Sequence, residues 1–382
     1  MAPEEFELLR ELTIVILTYN RPLELERAIE YWRDTPVTVH ILDGSDDPWF
    51  PVGLLPGVDS IFYHHLPAYT DEVWNFNYAR RMSFAATLPC TKYSALSADD
   101  DAFSVSGLST AIRILESDVS CDAIVGQTLG FYPQNNLVRW WLRFGVGSIA
   151  NLYSHNQDAI VRLRNSPLML YYGIVRTDLW TKRIQITQKH VSLGMRWETL
   201  FQDVSKAMFR ARFINQIVWF RFKTVRHPHE STYIYMREWA RDKKNFHEVA
   251  LYVDVLVAAI FLVNPGSDQQ LIKEAVYDFV MNHHEFRGRF PRIKPWRRSL
   301  LVRLFSKFNE SSINNYPKYL REIVSRNFMP VEIRAAIDSK KVLDEFLPNF
   351  SKTGIVFDLA ELKNLENLWL RPRQELRLRS NF

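Results

Sequence analysis

Leu12-Thr13-Ile14-Val15-Ile16-Leu17 is an unbroken apolar run rich in β-branched residues, and it stops at the polar turn Thr18-Tyr19-Asn20-Arg21-Pro22. A strand covered on both faces reads this way, because neither face alternates with water. Pro22 suits the first turn of a helix, and Leu23, Leu25, Ala28, Ile29 and Trp32 follow at helical spacing. Val37-Thr38-Val39-His40-Ile41-Leu42 is strand-like again. Strand, helix and strand within about 30 residues form a βαβ unit, which implies a parallel sheet.

Outward from this unit, the second strand ends at Asp43-Gly44-Ser45-Asp46-Asp47-Pro48, and a helix is expected over Glu72 to Thr87. Tyr93 to Ala98 reads as a third strand, running into Asp99-Asp100-Asp101. Ligands collect at the carboxyl ends of the strands in an open α/β sheet, and all three polar turns lie at such ends. Ala123 to Gln127 and Leu168 to Gly173 are further strand candidates. From about Phe246 the pattern turns mainly helical, with amphipathic stretches at Val249 to Val263, Leu271 to Asn282, Tyr316 to Arg326 and Val331 to Phe346. The expected architecture is an α/β domain over 1–243, a mostly parallel sheet flanked by helices, followed by a helical domain or extension over 244–382.

Composition narrows the class. With 382 residues, 47% of them hydrophobic and 24% charged, the chain can bury a large core. Its 13 Gly and 18 Pro show no period, which argues against collagen-like and repeat architectures. Cys90 and Cys121 make neither a disulfide framework nor a cysteine zinc site, so a reduced compartment is expected. The segment MAPEEFELLRE is acidic and lacks the features of an export signal, so a cytoplasmic location is expected. The apolar run Val255 to Val263 is about half of a bilayer span and reads as a buried helix. A net charge of +5 suits an anionic partner, and eight Lys or Arg residues with no acid lie between Arg287 and Lys307.

Three adjacent carboxylates at a strand end repel one another unless a cation or hydrogen-bond donors compensate, which suits a divalent metal bridging phosphates. A solvated acidic turn or helix N-cap is the alternative reading. From about residue 10 to 235 the sequence resembles the GT-A glycosyltransferases of the family-2 type. The resemblance is carried by Thr13 to Pro22, by the strand ending in Asp43-Gly44-Ser45, and by Ser97-Ala98-Asp99-Asp100-Asp101 at the distance where that family places its DXD motif.

The resemblance implies a GT-A (Rossmann-like) fold and a role for each of these residues. Thr18 and Arg21 would sit against the nucleotide, and Asp43 would accept a hydrogen bond from its base. Asp99 and Asp100 would lie near the ribose or the metal, with Asp101 the direct ligand of Mn²⁺ or Mg²⁺ on the diphosphate. Asp43 can also be read as an Asx-turn residue. In Asn75-Phe76-Asn77-Tyr78-Ala79-Arg80-Arg81, similar enzymes carry donor-contacting groups. Neighbouring helix residues point about 100° apart, so one of the two arginines at most faces the nucleotide, and Arg81 is the candidate. The catalytic base would be Asp203, with Glu198 as competitor, and His227 would be a further metal ligand. Tyr171 to Arg176 would line the acceptor pocket.

The implied activity is a metal-dependent, inverting transfer from a nucleoside diphosphate sugar, with a UDP-sugar favoured, to a hydroxyl of a glycan or lipid-linked glycan in surface polysaccharide synthesis. A sugar nucleotidyltransferase is the second reading, weakened because the first loop lacks glycine. A module binding anionic surfaces or nucleic acid through Phe286 to Phe308 is the third, and it leaves the Asp triplet idle. A nucleic-acid partner is therefore not expected, whereas the same basic, aromatic segment could touch a membrane surface.

Overall fold

The computed structural model describes residues 3–50, 52–55, 58–67, 74–88, 90–134, 137–143, 154–166, 168–188, 197–222, 236–282, 335–338 and 355–365. The fold is α/β and Rossmann-like, as the sequence predicts. In chain order come α1 (Pro3–Glu7), β1 (Leu12–Thr18), α2 (Pro22–Trp32), β2 (Thr38–Asp43), β3 (Gly53–Leu54), β4 (Ile61–His65), α3 (Trp74–Ala85), β5 (Tyr93–Ala98), β6 (Asp101–Phe103) and α4 (Val105–Ser117). Then follow β7 (Ala123–Gln134), β8 (Leu137–Arg143), α5 (Ala159–Asn165), β9 (Ile174–Arg176), α6 (Thr177–Gln188), α7 (Trp197–Met208) and β10 (Ala211–Phe222). The described C-terminal elements are α8 (Met236–Arg241), α9 (Phe246–Val263), α10 (Gln269–Asn282), β11 (Ala335–Asp338) and α11 (Leu359–Leu365).

The strands form one mixed sheet in the order β11-β8-β7-β9-β5-β1-β2-β4-β3, with β10 beside β7 and β6 beside β10. β1 runs parallel to both β2 and β5, β2 to β4, and β7 to β10. Every residue of β1 is buried, and its side chains divide between the two faces with period two. Ile14 and Ile16 join one apolar cluster with α2 and α4, whereas Val15 and Leu17 join a second one with α3, α6 and α7. Helices on both faces explain why the run reads as continuously apolar. At Gly107 of α4 an added Cβ would lie 2.2 Å from the Ile217 carbonyl oxygen, so the helix approaches β10 more closely than a side chain permits.

The helices expected after residue 246 are present at 246–263 and 269–282. With its preceding turn, α9 is long and apolar enough by composition to cross a membrane (Lys243–Val263, mean hydropathy 2.0). It nevertheless buries Val249, Tyr252, Val253, Val255, Leu256, Val257, Ala259 and Ile260, and packs on α7 in the second cluster.

Two expectations are corrected. Leu168 to Gly173 is not a strand: Leu170–Tyr172 forms a 3₁₀ turn, closed by Gly173 N to Leu170 O at 3.2 Å, and the strand starts at Ile174. The Tyr171 amide donates to Gln202 Oε1 (2.8 Å) instead of to a neighbouring strand. Within the stretch expected as helix over Val331 to Phe346, residues 335–338 pair antiparallel with β8, because an open sheet edge satisfies their backbone. Tyr316 to Arg326 and the basic segment Arg287 to Lys307 lie outside the described residues.

Candidate active site

The parallel register sets Thr18 beside Asp43 and Leu17 beside Ala98, so the loops after β1, β2 and β5 emerge together. Short hydrogen bonds tie them. Thr18 Oγ1 donates to Asp99 Oδ2 (2.7 Å), the Asn20 amide to Ser45 Oγ (2.8 Å), and the Gly44 amide to the Thr18 carbonyl (3.0 Å). Asn20 takes a left-handed backbone (φ 52°), which asparagine tolerates, and this turns the chain toward Arg21. The Arg21 guanidinium then reaches Asp99 at 2.7 Å and Asp100 at 2.9 Å.

Asp43 is fully buried. Its Oδ1 accepts from the amide (2.8 Å) and hydroxyl of Ser45, an Asx turn, and its Oδ2 from the Tyr63 hydroxyl. Burial and that bond raise the Tyr63 pKa, which keeps the phenol a donor. Arg81 lies beneath the same loops, with Nη1 donating to the carbonyls of Thr18 and Leu42 and Nε to that of Asn77. Gly44 lets it in, since a Cβ there would stand 3.0 Å from the Arg81 Cζ. Burial lowers the Arg81 pKa, while Tyr78, Asp43 and Asp99 pull it back up. Arg80 points elsewhere, donating to the carbonyls of Leu66 and Pro67.

Asp99 and Asp101 are buried, whereas Asp100 is partly exposed. Burial pushes the Asp99 carboxyl up to about 7, even against the opposing pull of Arg21 and Thr18. Asp101 rises well above its ordinary value, through burial and then through the charge of Asp100, with Arg221 opposing. Its one described hydrogen bond comes from the Phe222 amide, at 3.3 Å. In the antiparallel pairing of β6 with β10, Arg221 is the direct cross-strand partner of Asp101.

Arg221 connects this cluster to α7. Burial raises the pKa of Glu198, in the first turn of α7, and Arg221 again opposes the rise. Tyr172 stacks on Trp219 with ring centroids 4.1 Å apart, within electrostatic reach of Asp101, Arg221, Glu198 and Asp100. Tyr78, from α3, feels Glu198, Tyr172 and Arg81 in turn. Partly exposed Tyr78, Asp100, Tyr172, Glu198 and Arg221 are therefore linked electrostatically, with Tyr172 in reach of both the Asp triplet and Glu198.

Asp203 is not brought into this group. Five residues after Glu198 on the same helix, it points about 140° away. It is fully buried, with Lys206 Nζ 3.1 Å from Oδ1 and the Tyr252 hydroxyl of α9 donating to Oδ2 at 2.9 Å. Of the two acids, Glu198 and not Asp203 is the one within electrostatic reach of Tyr172 and Arg221. His227 lies outside the described residues.

Among the described residues, no three His, Cys, Asp or Glu side chains converge to hold a metal ion by themselves. Asp99 is engaged by both Thr18 and Arg21, and Asp100 by Arg21, so Asp100 and Asp101 are the less compensated pair. Magnesium is ordinarily held by one or two carboxylates together with substrate phosphates, and this pair fits that donor set.

No family model matches the chain, and no curated protein matches it either. Among solved structures it is similar to TarS of S. aureus. One TarS structure aligns over 82% of this chain and 52% of its own length, at 13% identity and a TM-score of 0.43. A second, of TarS 1–349, aligns over 96% of this chain and 92% of its own length, at 13% identity and a TM-score of 0.46. The chain thus spans about half the length of the first. At 13% identity, the reading of the site rests on its own geometry.

Several partners were not apparent in the sequence. Tyr63 and Arg221 sit on strands whose inward positions look like any core or edge residue. Arg221 had one available signal: a charge inside the strand Ile217 to Phe222, otherwise apolar and aromatic, needs a partner.

Proposed function

We propose that this chain is a GT-A glycosyltransferase, transferring a sugar from a nucleoside diphosphate sugar, with a UDP-sugar favoured, to a hydroxyl of a glycan or lipid-linked glycan acceptor in surface polysaccharide synthesis. The observation that carries the reading is the meeting of Thr18, Arg21 and Asp99 to Asp101 at the carboxyl ends of adjacent parallel strands, with Tyr172 in electrostatic reach of both Asp100–Asp101 and Glu198. Such an arrangement suits an anionic nucleotide on one side and a proton acceptor on the other.

In this reading Arg21 holds the first loop against Asp99 and Asp100, and Arg81 braces the loops from below. Asp100 and Asp101 would hold Mn²⁺ or Mg²⁺, which would supply charge stabilisation to the leaving diphosphate. Glu198 accepts the proton of the acceptor hydroxyl. The acceptor oxygen bonds to the anomeric carbon as the bond to the phosphate oxygen breaks, the electron pair leaves with the diphosphate, and the configuration inverts. A pKa raised by burial moves Glu198 toward neutrality, where a general base works best. Tyr172 and Trp219 wall the acceptor side. The protein acts in the cytoplasm, peripheral to a membrane.

The test is UDP release from a panel of UDP-sugars, with Mn²⁺ and mixed polysaccharide acceptors. Acceptor-stimulated release lost in Glu198→Gln is the expected result. No release from any nucleoside diphosphate sugar, by protein shown to be folded, would overturn the reading.

A further inference from the structure

Residues 355–365 return to the sheet far along the chain and dock on the face that carries α2 and α4. Gln216 and Val356 form a parallel bridge, with Ile217 N to Val356 O at 3.1 Å and Val356 N to Asn215 O at 3.4 Å. This is the place where β10 slips register against β7, between Ile214 and Trp219. Ile355, Leu362 and Leu365 are buried in the first apolar cluster, so the segment is a packed strap.

Glu361, on α11, reaches into the first turn of α4. Its Oε1 accepts from the Tyr31 hydroxyl (2.8 Å) and from the Val105 amide, and its Oε2 from the hydroxyls of Ser104 (2.8 Å) and Ser106 (3.3 Å). The Tyr31 oxygen also lies 2.7 Å from the Phe103 carbonyl oxygen, so one phenol proton is shared between strap and strand. Ser104 is tied twice more, its amide to Val218 O (2.8 Å) and its hydroxyl to the Gly107 amide (3.0 Å).

These contacts fall on the two elements that set the position of Asp101. β6 has only three residues, Asp101–Phe103, and its described partner is the bulged strand β10. A strand so short has little backbone pairing of its own with which to hold the Asp101 carboxylate in place. Glu361 fixes the downstream end of β6 at Phe103 to Ser106, and Val356 fixes β10 behind it.

We infer that Glu361 is a positioning residue for the Asp101 carboxylate, and that the C-terminal strap belongs to the frame of the donor site. The inference rests on the reading of Asp100 and Asp101 as the place where cation and diphosphate bind. Glu198 sits on α7, on the other face of the sheet, so loosening the strap affects donor affinity more than the proton transfer.

The test uses the full chain as wild type, Glu361→Gln, Glu361→Asp and, as a control on the exposed side of the strap, Lys363→Ala. Two quantities are read: amide hydrogen exchange over 101–108 in the ligand-free protein, and the Kd for UDP in the presence of Mn²⁺ by calorimetry. Glu361→Gln is expected to speed exchange over 101–108 while sparing 197–208, and to weaken UDP binding about tenfold, the lower end of what outer-shell partners of a metal site contribute. Glu361→Asp restores part of both, and Lys363→Ala changes neither. The inference is overturned if Glu361→Gln leaves exchange over 101–108 unchanged, or speeds it while the Kd stays within about twofold of wild type. If wild-type protein binds no nucleoside diphosphate with any divalent cation, the proposed function falls instead, and the exchange experiment still decides whether Glu361 holds the strand.

Discussion

At the amino ends of β7 and β10, Asp122 is gripped by Arg210 through Nε (2.8 Å) and Nη2 (2.9 Å) and by the Arg210 amide (2.9 Å). Nearby, Arg176 donates to the carbonyls of Leu115, Asp118 and Cys121, and Arg162 to those of Asn156, Gln157, Lys206 and Ala207. At the carboxyl ends of β1 and β5, by contrast, Asp99 and Asp100 share one guanidinium, and among the described residues Asp101 has a single 3.3 Å hydrogen bond, from a backbone amide. A fold that pairs its buried charges at one end of the sheet leaves carboxylates undercompensated at the other. Charges matched within the chain hold a scaffold together, whereas an unmatched cluster in a cleft marks a place for a ligand. Arg183 of α6 is an intermediate case. It is fully buried, with Nε and Nη2 unpartnered among the described residues, and its guanidinium lies over the Phe201 ring at 4.0 Å.

The largest effect that can break this comparison is on catalysis. Glu198→Gln is expected to slow transfer by about 10² or more while leaving the Kd for UDP with Mn²⁺ unchanged, within the range for a positioned base. Pre-steady-state kinetics with saturating donor check it, and an unaltered rate removes Glu198 from the mechanism.

On the scaffold side, Arg210→Ala strands Asp122 as a buried, unpaired charge and is expected to lower stability by about 3 kcal/mol without altering UDP binding. Denaturant unfolding measures the loss, and equal loss of UDP affinity would show that the two ends are not separate. Asp203→Asn belongs to the same class. Loss of the Lys206 ion pair and weakening of the Tyr252 bond should cost about 1–2 kcal/mol, with the transfer rate kept. A slowed rate at full stability would return the base to Asp203.

The smallest effect has the opposite sign. Asp101→Asn removes a repelled carboxylate but can still accept from the Phe222 amide, so the ligand-free protein should melt higher, by about 1 kcal/mol in stability. The pH dependence follows from the same shift. Folded protein holds this proton more tightly than the unfolded chain, so the carboxyl's contribution is full below the ordinary Asp range and is lost as pH rises through the raised folded value. In Asp101→Asn that part of the stability profile should flatten, and scanning calorimetry across pH reads both outcomes.

What was legible in the sequence follows from these physics. β1 and β5 announce themselves because both faces are buried, and Tyr93–Ala98 is bounded as the residues predict. The loop residues Thr18, Arg21 and Asp99 were visible as polar turns at strand ends. The choice between Glu198 and Asp203 was not, because a helix presents both acids at similar spacing and only the distant Tyr252 shows which one the core has claimed. β11 and Glu361 were invisible for a related reason: each acts on a partner more than 190 residues away, and neither changes the local pattern.

The central claim, that the unmatched carboxylates await a cation with a nucleoside diphosphate, meets its most direct test in isothermal calorimetry of UDP with wild type and Asp101→Asn, each with Mn²⁺ and with excess EDTA. The account predicts binding by wild type only with Mn²⁺, and loss of most of that dependence in Asp101→Asn. Equal affinity of the wild-type protein for UDP in EDTA would contradict it.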